Sequence, residues 1–239
     1  MDFITTLVNQ FRSTFITDNR YKVFLNGFKN TMLITIAAAL IGVAIGTIIA
    51  VVHSIATQKS HRKSFSSTLF VALDKVFTAY VAVMRGTPLA IQLMIWAFVL
   101  MAGKNKILVA CIAFGLNSAA YVSEVIRGGI NSVDIGQMEA GRSLGMSWLT
   151  TMKKIILPQA VKNILPALCN EGIAVLKETS IVGLVAVVDL TRASDLVRSR
   201  TLLAFFPLVS VAIVYFLLVY GLSSAVSALE RRLAKSDRR

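Results

Sequence analysis

The chain has 239 residues, 56% of them hydrophobic and 15% charged, with a mean hydropathy of +0.71. Soluble domains lie nearer to about 45–50% apolar and about 25% charged, so the bilayer is the expected solvent and an all-α polytopic membrane protein the expected fold class. At roughly 20 apolar residues per crossing of a hydrocarbon core about 30 Å thick, this length holds about five spans with their loops and leaves no room for a separate soluble domain. The formal charge of +13 does not mark a nucleic-acid binder, because the basic residues lie between apolar runs with no stacking motif or groove-reading helix beside them.

At the start of the chain Asp2 precedes any positive charge and the following apolar residues are spaced rather than continuous, so no cleavable signal is expected. Phe3, Leu7, Phe11 and Phe15 recur every four residues with Ile4 and Val8 beside them. The pattern predicts a short amphipathic helix within residues 1–25, lying in the membrane interface or, equally, packed against the bundle.

A transmembrane region over residues 26–229 follows, with apolar stretches at about Thr31 to Val52, Leu69 to Met101, Ile107 to Ile126, Val161 to Val188 and Leu202 to Leu229. The second is irregular. It carries Asp74, Lys75 and Arg85 and is then interrupted by Arg85-Gly86-Thr87-Pro88, because glycine and proline both break a helix interior. An oblique or interfacial helix up to Met84, then a span from Leu89, is the expectation. Cys111 and Cys169 lie inside predicted spans among apolar neighbours, where cysteine acts by default as a small hydrophobe; neither a disulfide nor a metal is indicated.

Lysine and arginine set the orientation. Thirteen lie between spans one and two (Lys59, Arg62, Lys63), between three and four (Arg127, Arg142, Lys153, Lys154, Lys162), and after span five (Arg231, Arg232, Lys235, Arg238, Arg239). Nine lie on the opposite side: Arg12, Arg20, Lys22, Lys29, Lys104, Lys106, Arg192, Arg198 and Arg200. The bias favours an external N-terminus, a cytoplasmic loop over about residues 128–160 and a basic cytoplasmic tail over residues 230–239. No internal repeat is visible, which counts slightly against the repeat-built secondary transporters.

The cytoplasmic loop reads as two short helices around a glycine turn. Gly145 suits the left-handed residue that closes the first helix, Ser147 can cap the second, and Trp148, Met152, Ile155 and Ile156 fall on one apolar face. Small residues at Ala140 and Gly141 would let another surface approach the backbone. Glu139-Ala140-Gly141, then Gly145, then Ile155, Leu157 and Pro158 resemble the EAA loop of ABC importer permeases, with Gly141 where alanine is usual. Further segments resemble the polar amino acid branch of that family: Arg85 to Gln92, Ala120 to Ile130, Gly136 to Ala140, Asn170-Glu171, and Lys177-Glu178-Thr179-Ser180. The likeness covers most of the chain from about Asn26 onward.

The resemblance implies the type I importer permease fold, with the N-terminus outside, the C-terminus cytoplasmic, and a multi-pass chain in the bacterial cytoplasmic membrane. It also implies a coupling helix, with Glu139, Ala140, Gly141, Ser143, Leu144, Gly145 and Pro158 docking on a cytoplasmic ATPase. The sequence contains no Gly-x-x-x-x-Gly-Lys-Ser/Thr phosphate loop. ATP and Mg are therefore expected on a partner chain, with no cofactor bound here and no catalytic residue. The implied partners are two ATPase subunits, a second identical or homologous permease, an extracytoplasmic amino acid binding protein, the amino acid itself and membrane lipid.

Ionisable residues at membrane depth usually face a pathway, a cavity or a partner. Glu171 and Glu178 lie seven apart, two helical turns, so both would project from one helix face. One reading has this face bind a cationic or polar amino acid through its ammonium group or basic side chain, with Lys177, Thr179 and Ser180 as donors to its carboxylate and Gln92 offering an amide, unless that amide instead bonds the backbone carbonyls freed around Pro88. The alternative is that the two acids are neutralised by Lys177, Arg85 or a partner subunit and brace the bundle. Glu124 stands one turn before Arg127, the order of a structural ion pair, with substrate contact as the rival reading, and Asp189 near Arg192 reads as a solvated end, with an external gate or a docking contact as its rivals. An ion-coupled carrier is the rival function. An intramembrane enzyme is disfavoured, because His53 and His61 are the only histidines and no His-Glu-x-x-His spacing occurs.

Overall fold

Helices carry nearly all the ordered backbone. The computed structural model describes residues 3–59 and 65–236, with side chains over residues 4–58 and 68–234. His61, Arg62, Lys63, Arg238 and Arg239 lie outside the described residues, and among those described no strand occurs. In chain order the helices are α1 (Phe3–Phe11), α2 (Tyr21–Lys59), α3 (Phe65–Gly86), α4 (Leu89–Ile95), α5 (Lys106–Asn131), α6 (Ile135–Ser143), α7 (Trp148–Thr151), α8 (Leu157–Glu178), α9 (Leu190–Thr201) and α10 (Phe205–Ser236).

Three of these, α2, α5 and α10, are long and apolar enough to cross a membrane, and the broken pair α3 and α4 would make a fourth span if counted as one. The break falls where the sequence places it. Helix α3 runs two residues past Met84 to Gly86, and Pro88, extended at φ −63° and ψ 130°, precedes α4. Proline lacks an N–H and pushes its predecessor out of the helical region, so the chain restarts there.

The expected fourth span, Val161 to Val188, is not one helix. α8 ends at Glu178, the tighter 3-10 turn Thr179–Val185 follows, and Ala186 closes that turn in the left-handed region at φ 64°. Pro166 and the polar residues Asn163, Asn170, Glu171 and Lys177 also thin its apolar character, so α8 is not among the helices that pass on length and composition. Helix α9 is unforeseen. The predicted tail from residue 230 begins inside α10, which continues to Ser236.

The chain forms two compact units. One comprises residues Met1–Ala38, Pro88–Phe114 and Ile173–Ser223; the other comprises Ala39–Thr87, Gly115–Gly172 and Ser224–Arg239. The first has a core of Ile34, Leu93, Val109, Phe114, Val175, Val182 and Val185, with Trp96 and Met101 packed against it. Here Phe11 meets Phe15 and Phe206 at 5.0 and 6.1 Å between ring centroids, so α1 packs on α10 through its aromatic residues. Ile4 and Val8 remain exposed.

The core of the second unit is Ala50, Val122, Ile126, Ala160 and Ile164. There α2 and α5 approach closely because Gly42 and Gly46, four apart on α2, face Ser118 and Val122. A Cβ added at either glycine would lie 2.7 Å from the facing side chain. Small residues four apart are the usual means by which apolar helices bring their backbones together.

Candidate functional site

The loop of the second unit is a capped helix–turn–helix. Asp134, not foreseen as a cap, accepts the Gly136 N–H at 2.6 Å and starts α6. Leu144, Gly145 and Met146 then donate their N–H groups to the carbonyls of Ala140, Arg142 and Gly141. Gly145 sits at φ +81°, the left-handed closure that glycine adopts without a Cβ penalty. Ser147 Oγ accepts the Thr150 N–H at 3.2 Å and starts α7. Both cap residues named from the sequence therefore occupy the expected positions. Of the predicted apolar face, Ile156 is buried and Trp148, Met152 and Ile155 are half-buried.

Gly141 requires a correction. It does not offer backbone to an incoming surface: it is buried, and an added Cβ would lie 2.6 Å from Thr151 Cγ2 and 2.9 Å from Thr151 Oγ1. Glycine occurs here because α7 packs onto α6 at that point. The outward side of the knob carries Glu139, Ala140, Ser143, Gly145 and Pro158, all exposed, with Ile135, Leu144 and Leu149 presented at 76%, 82% and 53% exposure. A short rigid element with exposed aliphatic side chains among polar ones has the anatomy of a docking surface.

Helices α2, α3 and α5 of the same unit hold a charged constellation that sequence reasoning saw only in part. Glu124 is half-buried and accepts from Arg127 Nε at 2.9 Å and Nη2 at 2.8 Å, the expected pair in bidentate form. It also accepts from Arg85 Nη1 at 3.1 Å, and the Arg85 guanidinium lies 5.5 Å over the Tyr121 ring. Arg85 thus pairs with Glu124. His53 Nδ1 and Asp74 Oδ1 share a hydrogen bond of 2.8 Å. Asp74 and Arg85 lie eleven apart on α3, about three helical turns, and that spacing could have placed them on one face. Nothing local to His53 announces its partner.

Glu171 belongs to this unit too. It is half-buried on α8 and accepts from Ser118 Oγ of α5 at 3.0 Å. Ser118 also packs against α2 at Gly42, where an added Cβ would lie 2.7 Å from its Oγ. Ser118 was missed because a serine inside an apolar helix has no distinguishing pattern.

The remaining expected substrate residues belong to the first unit. Helix α8 is continuous to Glu178, so the two-turn spacing of Glu171 and Glu178 along it is realised. Glu178 and Lys177 are exposed, and Lys177 and Ser180 line a cavity of about 260 Å³ with Thr191, Leu208, Val211, Ala212 and Tyr215. Thr179 is fully buried and donates to the Leu176 carbonyl at 2.7 Å, which commits its hydroxyl proton to the turn. Gln92 is buried one turn after Pro88, with its N–H on the Pro88 carbonyl at 3.2 Å.

Asp189 corrects another expectation. It is fully buried rather than solvated, and its two carboxylate oxygens accept the N–H groups of Thr191 at 2.9 Å and Arg192 at 3.0 Å, capping α9. Asn30 donates to the Val188 carbonyl at 2.8 Å, and the Leu190 N–H reaches Thr31 Oγ1 at 3.2 Å, so α2 fixes the same turn.

Known proteins are similar to this chain over most of its length. A putative glutamine transport system permease protein of Rickettsia bellii is 39% identical over 208 residues, which are 85% of this chain and 91% of that protein. The arginine transport system permease protein ArtQ of Bacillus subtilis is 37% identical over 217 residues, covering 89% of this chain and 93% of ArtQ. A solved amino acid ABC transporter chain superposes with a TM-score of 0.80 at 36% identity, covering 97% of this chain and 99% of that one. The permease fold expected from the sequence is therefore the fold of this chain. A chain of the MetNI methionine transporter, at 17% identity and a TM-score of 0.74 over 91% of this chain and 99% of its own length, shares the fold. Residues 66–235 match the family model of the binding-protein-dependent transport system inner membrane component, and the chain belongs to that family.

Proposed function

We propose that this chain is the permease subunit of an ATP-driven amino acid importer in a bacterial cytoplasmic membrane, paired with a second permease and resting on two ATPase subunits. An external binding protein delivers the substrate. The chain crosses the membrane about five times, counting the α3–α4 pair and α8, with its N-terminus outside and its C-terminus in the cytoplasm. ATP binding closes the ATPase dimer, the capped α6–α7 knob follows that movement, and the transmembrane helices open the pathway outward; hydrolysis resets them. ATP must bind the two states with different affinity, since a ligand without differential affinity shifts nothing.

The observation that carries this reading is the knob. Two caps and a left-handed glycine hold it rigid, while Ile135, Leu144 and Leu149 stand exposed around Glu139. Exposed aliphatic groups on a rigid turn are costly in water and become favourable once a partner covers them. At the substrate, the Glu171 carboxylate held by Ser118 offers a partner for an ammonium or guanidinium group, and this favours a cationic or polar amino acid. Relatives named for glutamine, arginine, and glutamate with aspartate transport support the amino acid class.

The test is reconstitution of the complex in proteoliposomes. Uptake should require internal or external ATP on the ATPase side and stop when ATP is withdrawn. Glu139→Lys should abolish uptake and loosen the ATPase without affecting membrane insertion. Uptake persisting on an ion gradient without ATP would establish the carrier reading instead.

A further inference from the structure

Beside the Glu124 ion triplet lies a cavity of about 270 Å³ walled by α2, α3 and α5, lined by Ile49, Ala50, His53, Asp74, Phe77, Thr78, Val81, Ser123, Glu124 and Arg127. All of it lies in the second unit. We propose that this cavity is a second small-molecule site, separate from the Glu171 face, and that it takes an α-amino acid in its zwitterionic form from the cytoplasmic side. The importer reading supplies the choice of amino acid as ligand; the site itself rests on the geometry below.

A cavity that carries both signs of charge selects a ligand that carries both. Asp74 and Glu124 present carboxylates, which accept from an ammonium group, while Arg127 presents a guanidinium, which donates to a carboxylate. Hydroxyls from Thr78 and Ser123 lie among them, and Phe77, Ile49 and Val81 form an apolar wall for a side chain. An apolar wall facing a set of converging polar groups is the arrangement of a small-ligand site.

The volume, about 270 Å³, lies at the small end of the range of ligand pockets, roughly 300–1,000 Å³, which suits a molecule the size of an amino acid. The formal charges are also already balanced: the carboxylates of Asp74 and Glu124 are matched by the guanidinium groups of Arg85 and Arg127. A net ion entering would disturb that balance, whereas a zwitterion adds one charge of each sign and leaves it unchanged.

Position connects the cavity to coupling. His53 and Arg127 also line a neighbouring cavity of about 570 Å³, whose far wall is the knob itself: Asp134, Ile135, Met138, Trp148 and Met152. A ligand held by Arg127 beside His53 in the smaller cavity would fix the side chains on which the larger one closes. Occupancy would therefore bias the coupling loop, and an imported amino acid accumulating in the cytoplasm would act on its own uptake.

The experiment uses the purified permease–ATPase complex without binding protein, equilibrium dialysis with labelled L-glutamine and L-arginine, and variants of each site. Wild type is expected to bind two molecules per permease chain. Glu171→Gln should remove one and leave the other. Thr78→Leu, at an exposed position that projects bulk into the cavity, and Asp74→Asn should each weaken the remaining one at least tenfold at an unchanged melting temperature, while Thr78→Ser keeps it. A single molecule per chain that is lost in Glu171→Gln overturns the second site, as does residual binding indifferent to both cavity variants. If all binding depends on Thr78 and Asp74 and none on Glu171, the second site stands and the Glu171 substrate face is refuted.

Discussion

Gly141 gives the sharpest handle on the α6–α7 knob. In Gly141→Ala the new Cβ would stand 2.6 Å from Thr151 Cγ2 and 2.9 Å from Thr151 Oγ1, with Ile155 Cδ1 at 3.3 Å. Thr151 cannot rotate away, because its Oγ1 donates to the Ser147 carbonyl at 3.0 Å and its side chain is fully buried. Overpacking of this kind costs about 1–3 kcal/mol, while replacing a helical glycine by alanine returns about 1 kcal/mol. The net expectation is a loss of about 0–2 kcal/mol, felt as α7 displaced from α6. Thr151→Ser removes Cγ2 and keeps the hydroxyl, and Thr151→Ala removes both contacts. A double-mutant cycle in detergent-solubilised complex, read as melting temperature and as ATP consumed per substrate moved, should therefore show partial rescue with serine and fuller rescue with alanine. The coupling energy should be about 1–2 kcal/mol, within the usual range for residues in contact. If Gly141→Ala is silent and neither Thr151 variant interacts with it, α6–α7 packing does not explain the glycine.

Gly145→Val would force a β-branched residue into φ +81°, a strain of about 1–3 kcal/mol. Coupled transport should fall while the protein still inserts, with ATPase retention on an affinity column as the check. Asp189 uses each carboxylate oxygen for a different N–H, so Asp189→Asn keeps one bond and Asp189→Ala keeps none. Stability losses should be graded, smaller for asparagine and about 1–2 kcal/mol or more for alanine, measured by thermal unfolding; equal losses would refute the capping role.

How much of this was legible depended on whether the signal was local in the chain. Gly145 and Ser147 could be read because a left-handed closure and an N-cap each require particular residue types within a few positions of the helix they bound. The break at Pro88 could be read for the same reason. Glu124 and Arg127 are three apart on one helix, but Arg85 reaches Glu124 from 39 residues away, and His53 meets Asp74 across 21 residues, from one helix to the next. Asp189 shows the limit most clearly. Charge beside an apolar run suggests solvent, yet the carboxylate is enclosed because the N–H groups of α9 converge on it and α2 closes over the turn, neither of which the local sequence reveals. The same holds for Gly141, where glycine in place of alanine looked like a tolerated departure for a partner's benefit. The reason lies ten residues ahead, in a threonine whose methyl and hydroxyl groups occupy the space a Cβ would need. A residue chosen to accommodate its own fold and one chosen to accommodate a partner look alike in sequence; only the contact at Thr151 separates them, and it leaves Ile135, Leu144 and Leu149 as the exposed aliphatic side of the knob.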